Sequence, residues 1–247
     1  ACPLTTLSVS DKADYAVTGM SEVRREGFLG SEFAVTGRLE GTFLLNMPGT
    51  FNVANALAAL AAAHMAGADA RAIAQGLKTV YVKGRTQVLD TPGCYYTMLI
   101  DYAHNGVSLT SVLDTLRGYD PRRLICLFGS VGGRTKERRR DLAEAAGPRC
   151  DLCILTSDNP ACEPPMEIIE EIDAAFPAGS CPRVKITDRA EAIRYAVEIA
   201  EAGDIILLAG KGHETYQLIG GKKVPFSERA ILEEECALVL AEEKAKK

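Results

Sequence analysis

The stretch Asp151-Leu152-Cys153-Ile154-Leu155-Thr156-Ser157-Asp158-Asn159-Pro160-Ala161-Cys162-Glu163-Pro164-Pro165 decides how the chain folds. Leu152 to Leu155 form an apolar run of strand length, and Met166, Ile169, Ile172 and Phe176 then recur at helical spacing. Pro164 and Pro165 stand where that helix opens, a place proline tolerates because its missing N–H would be unpaired there anyway. Ser157, Asp158, Asn159 and Glu163 therefore lie just past the carboxyl end of a strand, where open α/β sheets bind ligands. Read alone, Asp158-Asn159-Pro160 is also ordinary turn chemistry.

The same texture recurs outward from this stretch. Apolar runs at 95–100, 124–128, 184–186 and 205–208 alternate with helical patterns at 108–117, 138–146, 165–176, 189–200 and 228–241. Asp188 and Glu191 fit a capping box for the fourth helix. Alternation of this kind predicts an α/β fold, a Rossmann-like C-terminal domain with a mostly parallel sheet. Residues 83–90 read as a linker, which divides the chain into 1–85 and 86–247. Ahead of it, 5–9, 15–18, 32–36 and 42–45 read as short strands, the last two joined as a hairpin through Gly37 and Gly41. They look like the edge of a larger sheet. An Ala-rich helix runs from about Asn52 to Met65 with Ala and Leu on nearly every face, a pattern that predicts burial. Gly67 closes it, and a second helix follows at 70–77. Asn52 and Asn55 share one face at the start of the first helix. Asn52 suits an N-cap, but Asn55 lies inside the helix, where Asn is a poor choice. Two neighbouring amides can read the edge of a purine or hold a carboxylate. The charged residues after Ala241 read as a fraying tail.

Composition narrows the function classes. The net charge of −5 argues against a nucleic-acid surface, the basic run from Arg134 to Arg140 being a local exception. No apolar run is long enough to cross a bilayer, so membrane insertion is not expected. No leader pattern is visible at the start, which points to the cytoplasm. The chain opens on Ala1 in what reads as mid-domain strand, as a piece of a longer protein would. Of the eight cysteines, Cys150 and Cys153 have metal-knuckle spacing, but no second pair or nearby His completes a site. No metal site is expected, and the thiols, Cys2 among them, read as reduced.

Just past the strand ends lie Asp101-Tyr102-Ala103-His104-Asn105, then Gly129-Ser130-Val131-Gly132-Gly133-Arg134, then Asp158-Asn159, then Gly210-Lys211-Gly212-His213-Glu214. Singly, each has a plain structural use: Asp101 as a capping acid, His104 as a turn histidine, the glycines as tight turns, Arg134 as part of a solvated face. In a parallel sheet all four stretches emerge on one edge, and together they make a site. Glycines let backbone N–H groups approach an anion, and Arg134 offers a fork for a carboxylate or phosphate. Asp158, Asn159 and Glu214 offer acceptors for an ammonium group. A zwitterionic amino acid satisfies both sets. A nucleotide satisfies the glycines and Arg134, but not clustered acids unless a metal bridges them. The glycines after Phe128 do not form Gly-x-Gly-x-x-Gly, so a Rossmann dehydrogenase is excluded.

Gly84-Arg85, Asp101-Tyr102-Ala103-His104, Asp158-Asn159-Pro160 and Gly210-Lys211-Gly212-His213-Glu214, in this order, resemble the ATP-dependent Mur ligases. The branch that joins a diamino acid to UDP-N-acetylmuramoyl-L-alanyl-D-glutamate resembles the chain most. The resemblance runs over nearly the whole chain. It implies the C-terminal part of a central P-loop-type ATPase domain followed by a C-terminal amino-acid domain. It also implies cytoplasmic work in peptidoglycan synthesis with ATP, Mg²⁺, the UDP-linked dipeptide and a diamino acid as partners. By resemblance Asn52, Asn55, Arg85, Asp101 and His104 bind ATP. Arg134, Asp158, Asn159, Gly210 and Glu214 bind the diamino acid. The family's phosphate loop, ending in Gly-Lys-Thr or Gly-Lys-Ser, does not occur in the sequence, nor do its Mg²⁺-binding Glu and modified Lys, so the chain alone is expected neither to hydrolyse ATP nor to form the amide. Diaminopimelate enzymes of the family usually carry Arg after Asp-Asn-Pro, whereas this chain has Ala161. That departure, with Glu163 nearby for a distal ammonium, points to L-lysine unless Lys136 or Arg138 substitutes. Alternatives are a folylpolyglutamate- or cyanophycin-synthetase-like member, or a binding-only module.

Overall fold

The computed structural model describes residues 4–25, 28–89, 91 and 94–245. Cys2 and the last two residues of the charged tail lie outside them. The chain divides into two compact units, residues 1–82 and 83–247.

The first unit is a four-stranded sheet with two helices. Its strands are β1 (Leu7–Ser8), β2 (Tyr15–Arg25), β3 (Phe28–Gly37) and β4 (Gly41–Leu45), in that spatial order. β1 runs parallel to β2, and the remaining pairs are antiparallel. The hairpin through Gly37 and Gly41 forms as the sequence indicates. β2 and β3 extend well beyond the stretches expected at 15–18 and 32–36, because Gly19, Glu22, Arg24 and their neighbours carry no buried apolar alternation to mark them. A bulge between Val17 and Gly19 shifts the register there. α1 (Thr50–Met65) and α2 (Ala70–Thr79) pack on the sheet through Val53, Leu57, Leu60, Ile73 and Leu77. α1 is not buried all round: Ala54, Asn55, Ala58 and Ala59 are exposed. A small apolar side chain such as alanine has no strong preference for either side of a surface, so composition misread this face. The N-cap of α1 is Gly49, not Asn52.

The second unit is built on a six-stranded sheet. β5 (Gln87–Val88), β6 (Thr97–Asp101), β7 (Leu124–Phe128), β8 (Leu152–Leu155), β9 (Arg183–Lys185) and β10 (Ile205–Ala209) lie in the order β5-β6-β10-β7-β8-β9. Only β5 is antiparallel to its neighbour. The stretch read as a linker is not free over its described residues: Gln87 and Val88 pair with Ile100 and Leu99 as an edge strand. Two residues are too short a run to register as a strand in sequence.

The chain steps from β6 through β7 and β8 to β9 in one direction, by way of α3 (Gly106–Arg117), α4 (Lys136–Ala146) and α5 (Pro165–Ala174). It then turns back through α6 (Arg189–Glu198) to insert β10 between β6 and β7. Right-handed crossovers require helices of opposite travel to lie on opposite faces. Accordingly Met98, Ile100, Ile125, Leu127, Ile206 and Leu208 pack with Ala192, Ile193 and Ala196 of α6 and with Leu232 of α7 (Glu228–Ala245). The alternate strand residues Leu99, Cys126 and Leu207 are also fully buried. Their cover comes from α3, α4 and α5, which pack side by side and bury Leu113, Leu142 and Ile169. Each such aliphatic side chain contributes about 1.5–3 kcal/mol by leaving water. α7 continues through Ala245, so the backbone does not fray at Ala241.

A second hairpin, β11 (Tyr216–Ile219) and β12 (Lys222–Pro225), turns at Gly220 and Gly221, both at positive φ (57° and 73°).

Candidate amino-acid cleft at the carboxyl edge of the sheet

Each crossover leaves the sheet at a strand's carboxyl end, so the polar stretches after β6, β7, β8 and β10 meet on one edge. Three contacts fix them there. Gly210 N–H donates to Asp101 O (3.0 Å), Thr156 N–H to Phe128 O (3.0 Å) and Gly132 N–H to Asn159 O (2.9 Å). Gly129 and Gly132 sit so close to this backbone that a Cβ would lie 2.1 Å from Thr156 O and 2.0 Å from Pro160 O. No side chain fits at either position.

The cleft between these loops measures about 240 Å³. Arg134, Asp158, Asn159, Gly210 and Glu214 all line it, as do His104 and Tyr102. The five residues assigned to the amino acid are thus brought together. Arg138, from the first turn of α4, joins them.

The centre of the acidic wall is a residue that sequence reasoning passed over. Lys211 is fully buried, and its Nζ donates to Asn159 Oδ1 (3.1 Å) and Glu214 Oε2 (3.1 Å), with Asp158 Oδ1 at 3.5 Å. Several of the acceptors expected to hold a ligand's ammonium therefore already hold a resident one. Asn159 completes the network by donating Nδ2–H to Glu214 Oε2 (2.9 Å) and accepting Leu218 N–H (2.9 Å). Gln217 donates to Asp158 O (3.0 Å). The β11–β12 hairpin thus braces the Asp158-Asn159 turn, and Gly220 N–H reaches Ala161 O (2.6 Å). Ala161 is held at φ 55°, an uncommon conformation for a residue with a Cβ.

Behind this wall a buried Arg189 ties the loops together. It donates to Ser157 O (3.2 Å) and Ala209 O (2.8 Å), at the ends of β8 and β10, and pairs with Glu228 Oε1 (2.7 Å). Burial raises the Glu228 carboxyl pKa, against the opposing pull of Arg189.

Glu163 does not face a ligand as the sequence suggested. One of its oxygens accepts Gly133 N–H and the other pairs with Arg139 (2.6 Å). The Gly133 N–H and then Arg139 hold its carboxyl below the usual range. Arg139, buried, also binds Glu171 (2.6 Å), and Lys136 is spent on Glu171 as well (2.6 Å). Lys136 and Glu163 both have partners within the protein, and neither lines the cleft.

Beside the cleft lies an aromatic group. Tyr102 stacks near His104 (ring centroids 4.7 Å apart) and His213 (5.4 Å), and the Arg85 guanidinium sits 5.0 Å from the Tyr102 ring centre. Asp101 acts behind it. Its Oδ2 accepts Thr86 N–H (2.6 Å) and its Oδ1 accepts Ala103 N–H (2.7 Å), which pins the turn carrying Arg85 to the end of β6. Burial raises the Asp101 pKa despite these two bonds. Gly84 and Gly212 interlock here: a Cβ on Gly84 would lie 2.2 Å from His213 N, and one on Gly212 2.7 Å from Tyr102 Cβ.

Asn52 and Asn55 belong to the first unit, at the rim of a groove of about 470 Å³ lined by Leu45, Met47, Leu60 and Ile73. Asn52 is buried and donates to Pro48 O (2.7 Å), whereas Asn55 is exposed. Among the described residues no group of three His, Cys, Asp or Glu side chains is placed to hold a metal ion. Cys150 and Cys153 neighbour Cys126 and Cys181 in the core, with Cys181 Sγ 3.5 Å from Cys153 Sγ. No helix of the described residues is long and apolar enough to cross a membrane.

The sequence model for the Mur ligase glutamate ligase domain matches residues 84–212, which span the edge strand, the first three loops and the start of the fourth, and every residue lining the cleft except Glu214. The chain belongs to the Mur ligase family. Relatives within the family include the UDP-N-acetylmuramoyl-L-alanyl-D-glutamate--2,6-diaminopimelate ligase of Caldanaerobacter subterraneus subsp. tengcongensis, 46% identical over 77% of this chain and 39% of its own length. The ligase of the same name from Geobacillus thermodenitrificans is 38% identical over 94% of this chain and 47% of its own length. A solved structure titled for that same ligase superposes with a TM-score of 0.71 at 32% identity, over 95% of this chain and 48% of the other. This Mur ligase chain thus spans less than half the length of each of these relatives.

Proposed function

We propose that the chain is part of an ATP-dependent ligase that adds a diamino acid to UDP-N-acetylmuramoyl-L-alanyl-D-glutamate in peptidoglycan synthesis. The observation that carries this reading is the cleft itself, lined by the carboxylates of Asp158 and Glu214 and by an Arg134 guanidinium with no ion pair among the described residues, at the carboxyl edge of a Mur ligase sheet. The names of the relatives support the same substrate pair.

In this reading residues 1–82 are the end of the ATPase domain and residues 83–247 hold the incoming amino acid. Arg134 forks onto its α-carboxylate. Asp158 and Glu214, whose remaining oxygens are not taken by Lys211, accept from its ammonium groups. Gly210, at φ 109°, keeps that wall open, since a Cβ there would lie 3.0 Å from Asp158 Oδ2. ATP is a substrate that phosphorylates the glutamate carboxylate and leaves as ADP; one amino group of the bound amino acid, having lost its proton, then attacks the acyl phosphate, the C–N bond forming as the C–O bond to phosphate breaks. Arg85, Tyr102 and His104 offer a cation and ring faces suited to the nucleotide, and Asp101 acts through Arg85 by fixing its turn. Asn52 and Asn55 are proposed on the adenine side. The gain from holding the amine is chiefly one of position. In this reading Mg²⁺ is held by residues other than those described, among which no cluster of carboxylates, cysteines or histidines is placed for a metal ion.

The favoured amino acid is 2,6-diaminopimelate, because Glu163 is consumed by Arg139 and Arg138 lines the cleft. Ala161 favours a second reading, L-lysine. Calorimetry of the 247-residue chain with diaminopimelate, L-lysine and L-glutamate tests the proposal. Binding of a diamino acid over glutamate is expected; no binding, or a preference for glutamate, would refute it. The chain alone is expected to give no ATP hydrolysis and no amide product in a turnover assay.

A further inference from the structure

We infer that Arg138 selects a diamino acid that carries a second carboxylate. The inference rests on reading the cleft as the diamino-acid site, and names the group that chooses among diamino acids.

The loop before α4 and its first turns carry five basic residues, Arg134, Lys136, Arg138, Arg139 and Arg140. Three are committed to the protein: Lys136 to Glu171, Arg139 to Glu163 and Glu171, and Arg140 to Glu144 at 3.8 Å and Asp141 at 4.0 Å. Arg134 and Arg138 have no ion pair among the described residues, and both line the cleft. A guanidinium is a planar fork that matches one carboxylate. Two forks without ion pairs, lining one cleft with Asp158 and Glu214, describe a ligand with two carboxylates and ammonium groups. A ligand with one carboxylate would leave a fork idle.

The two forks are not equivalent. Arg134 follows Gly132 and Gly133, whose N–H groups are bonded to Asn159 O and to Glu163. It is thereby tied to the turn that bears Asp158 and Asn159. In L-lysine only one carboxylate shares a carbon with an ammonium, and that pair belongs at this tied end; 2,6-diaminopimelate has such a pair at each end, and its second carboxylate needs a further cation. Arg138 stands further along, on α4, and takes the distal carboxylate. Position 161 holds Ala and supplies no charge, which leaves Arg138 as the cation for that group.

The test is calorimetry of the 247-residue chain with 2,6-diaminopimelate and L-lysine, on the native protein and on Arg138→Ala, Arg138→Lys and Arg134→Ala. Arg138 is unpaired and half-buried, so its removal should leave the thermal midpoint unchanged, which scanning calorimetry checks. Loss of one charge-assisted fork weakens binding about tenfold or more. Arg138→Ala should weaken diaminopimelate by that factor and leave lysine within about twofold, with Arg138→Lys between. Arg134→Ala should weaken both. Unchanged diaminopimelate affinity in Arg138→Ala, or an equal loss for both amino acids, would overturn the inference while leaving the diamino-acid site standing. Failure of the native chain to bind either amino acid would remove both together.

Discussion

Replacing Lys211 with Met is the sharpest perturbation of the cleft wall. The methionine nearly matches lysine in length but brings no charge and no donor. It leaves Asp158 and Glu214, whose side chains are 3% and 16% exposed, facing each other without their cation. Asn159 Oδ1 loses one of its two donors and keeps Leu218 N–H. Breaking a buried pair by removing one partner costs about 3–5 kcal/mol. For a unit of this size each kcal/mol moves the midpoint by about 2–4 °C, so the transition of residues 83–247 should fall by about 6–20 °C. Glu214→Gln removes one charge but keeps a hydrogen-bond acceptor, and should cost about 1 kcal/mol. Scanning calorimetry on both single variants and the double variant measures the coupling directly. A fall of less than about 2 °C in Lys211→Met, or a double variant whose loss is the sum of the singles, would refute the account of Lys211 as the centre of the wall.

Other outcomes follow from the same geometry. Gly212→Ala puts a Cβ 2.7 Å from Tyr102 Cβ and 2.8 Å from Gly84 O at φ 53°, so chemical denaturation should register a loss of about 1–3 kcal/mol; an unchanged midpoint would contradict the interlock. Glu163 and Glu171 are held below their ordinary pKa by Gly133 N–H, Lys136 and Arg139. Their stabilisation is therefore complete above the unfolded carboxyl range and lost as the pH falls through the lowered folded values. Thermal midpoints recorded from pH 7 down to pH 3 should drop less in Glu163→Gln/Glu171→Gln than in the native chain, and parallel profiles would argue against it. Arg189→Met should loosen Ser157 and Ala209 and leave Glu228 buried without its cation, a cost of about 3–5 kcal/mol in urea unfolding. A loss below about 1 kcal/mol would show that this pair is not a brace.

Much of the second unit was legible because its strands are short apolar runs ending in polar loops. Leu124–Phe128 and Leu152–Leu155 form over the residues that the apolar runs mark. Asp158, Asn159, Gly210 and Glu214 group together from sequence because parallel strands deliver their loops to one edge. What escaped had local reasons. β5 is two residues long, and its partner lies across the turn that Asp101 pins. The β11–β12 hairpin carried a Gly220-Gly221 signal, but Lys222 and Lys223 face water and gave no apolar alternation. Lys211 was invisible because lysine is almost never fully buried, and only its three acceptors, distant in sequence or one turn away, make that burial tolerable. Glu163 misled for the converse reason: an acid near a site reads as a ligand until a buried Arg139 is found beside it.

The most direct measurement is a crystal structure of this chain soaked with 2,6-diaminopimelate. The account predicts one carboxylate on the Arg134 guanidinium and an ammonium nitrogen within hydrogen-bond reach of Asp158 and Glu214. Density for the amino acid elsewhere on the molecule, with the cleft empty and those three side chains unmoved, would contradict it.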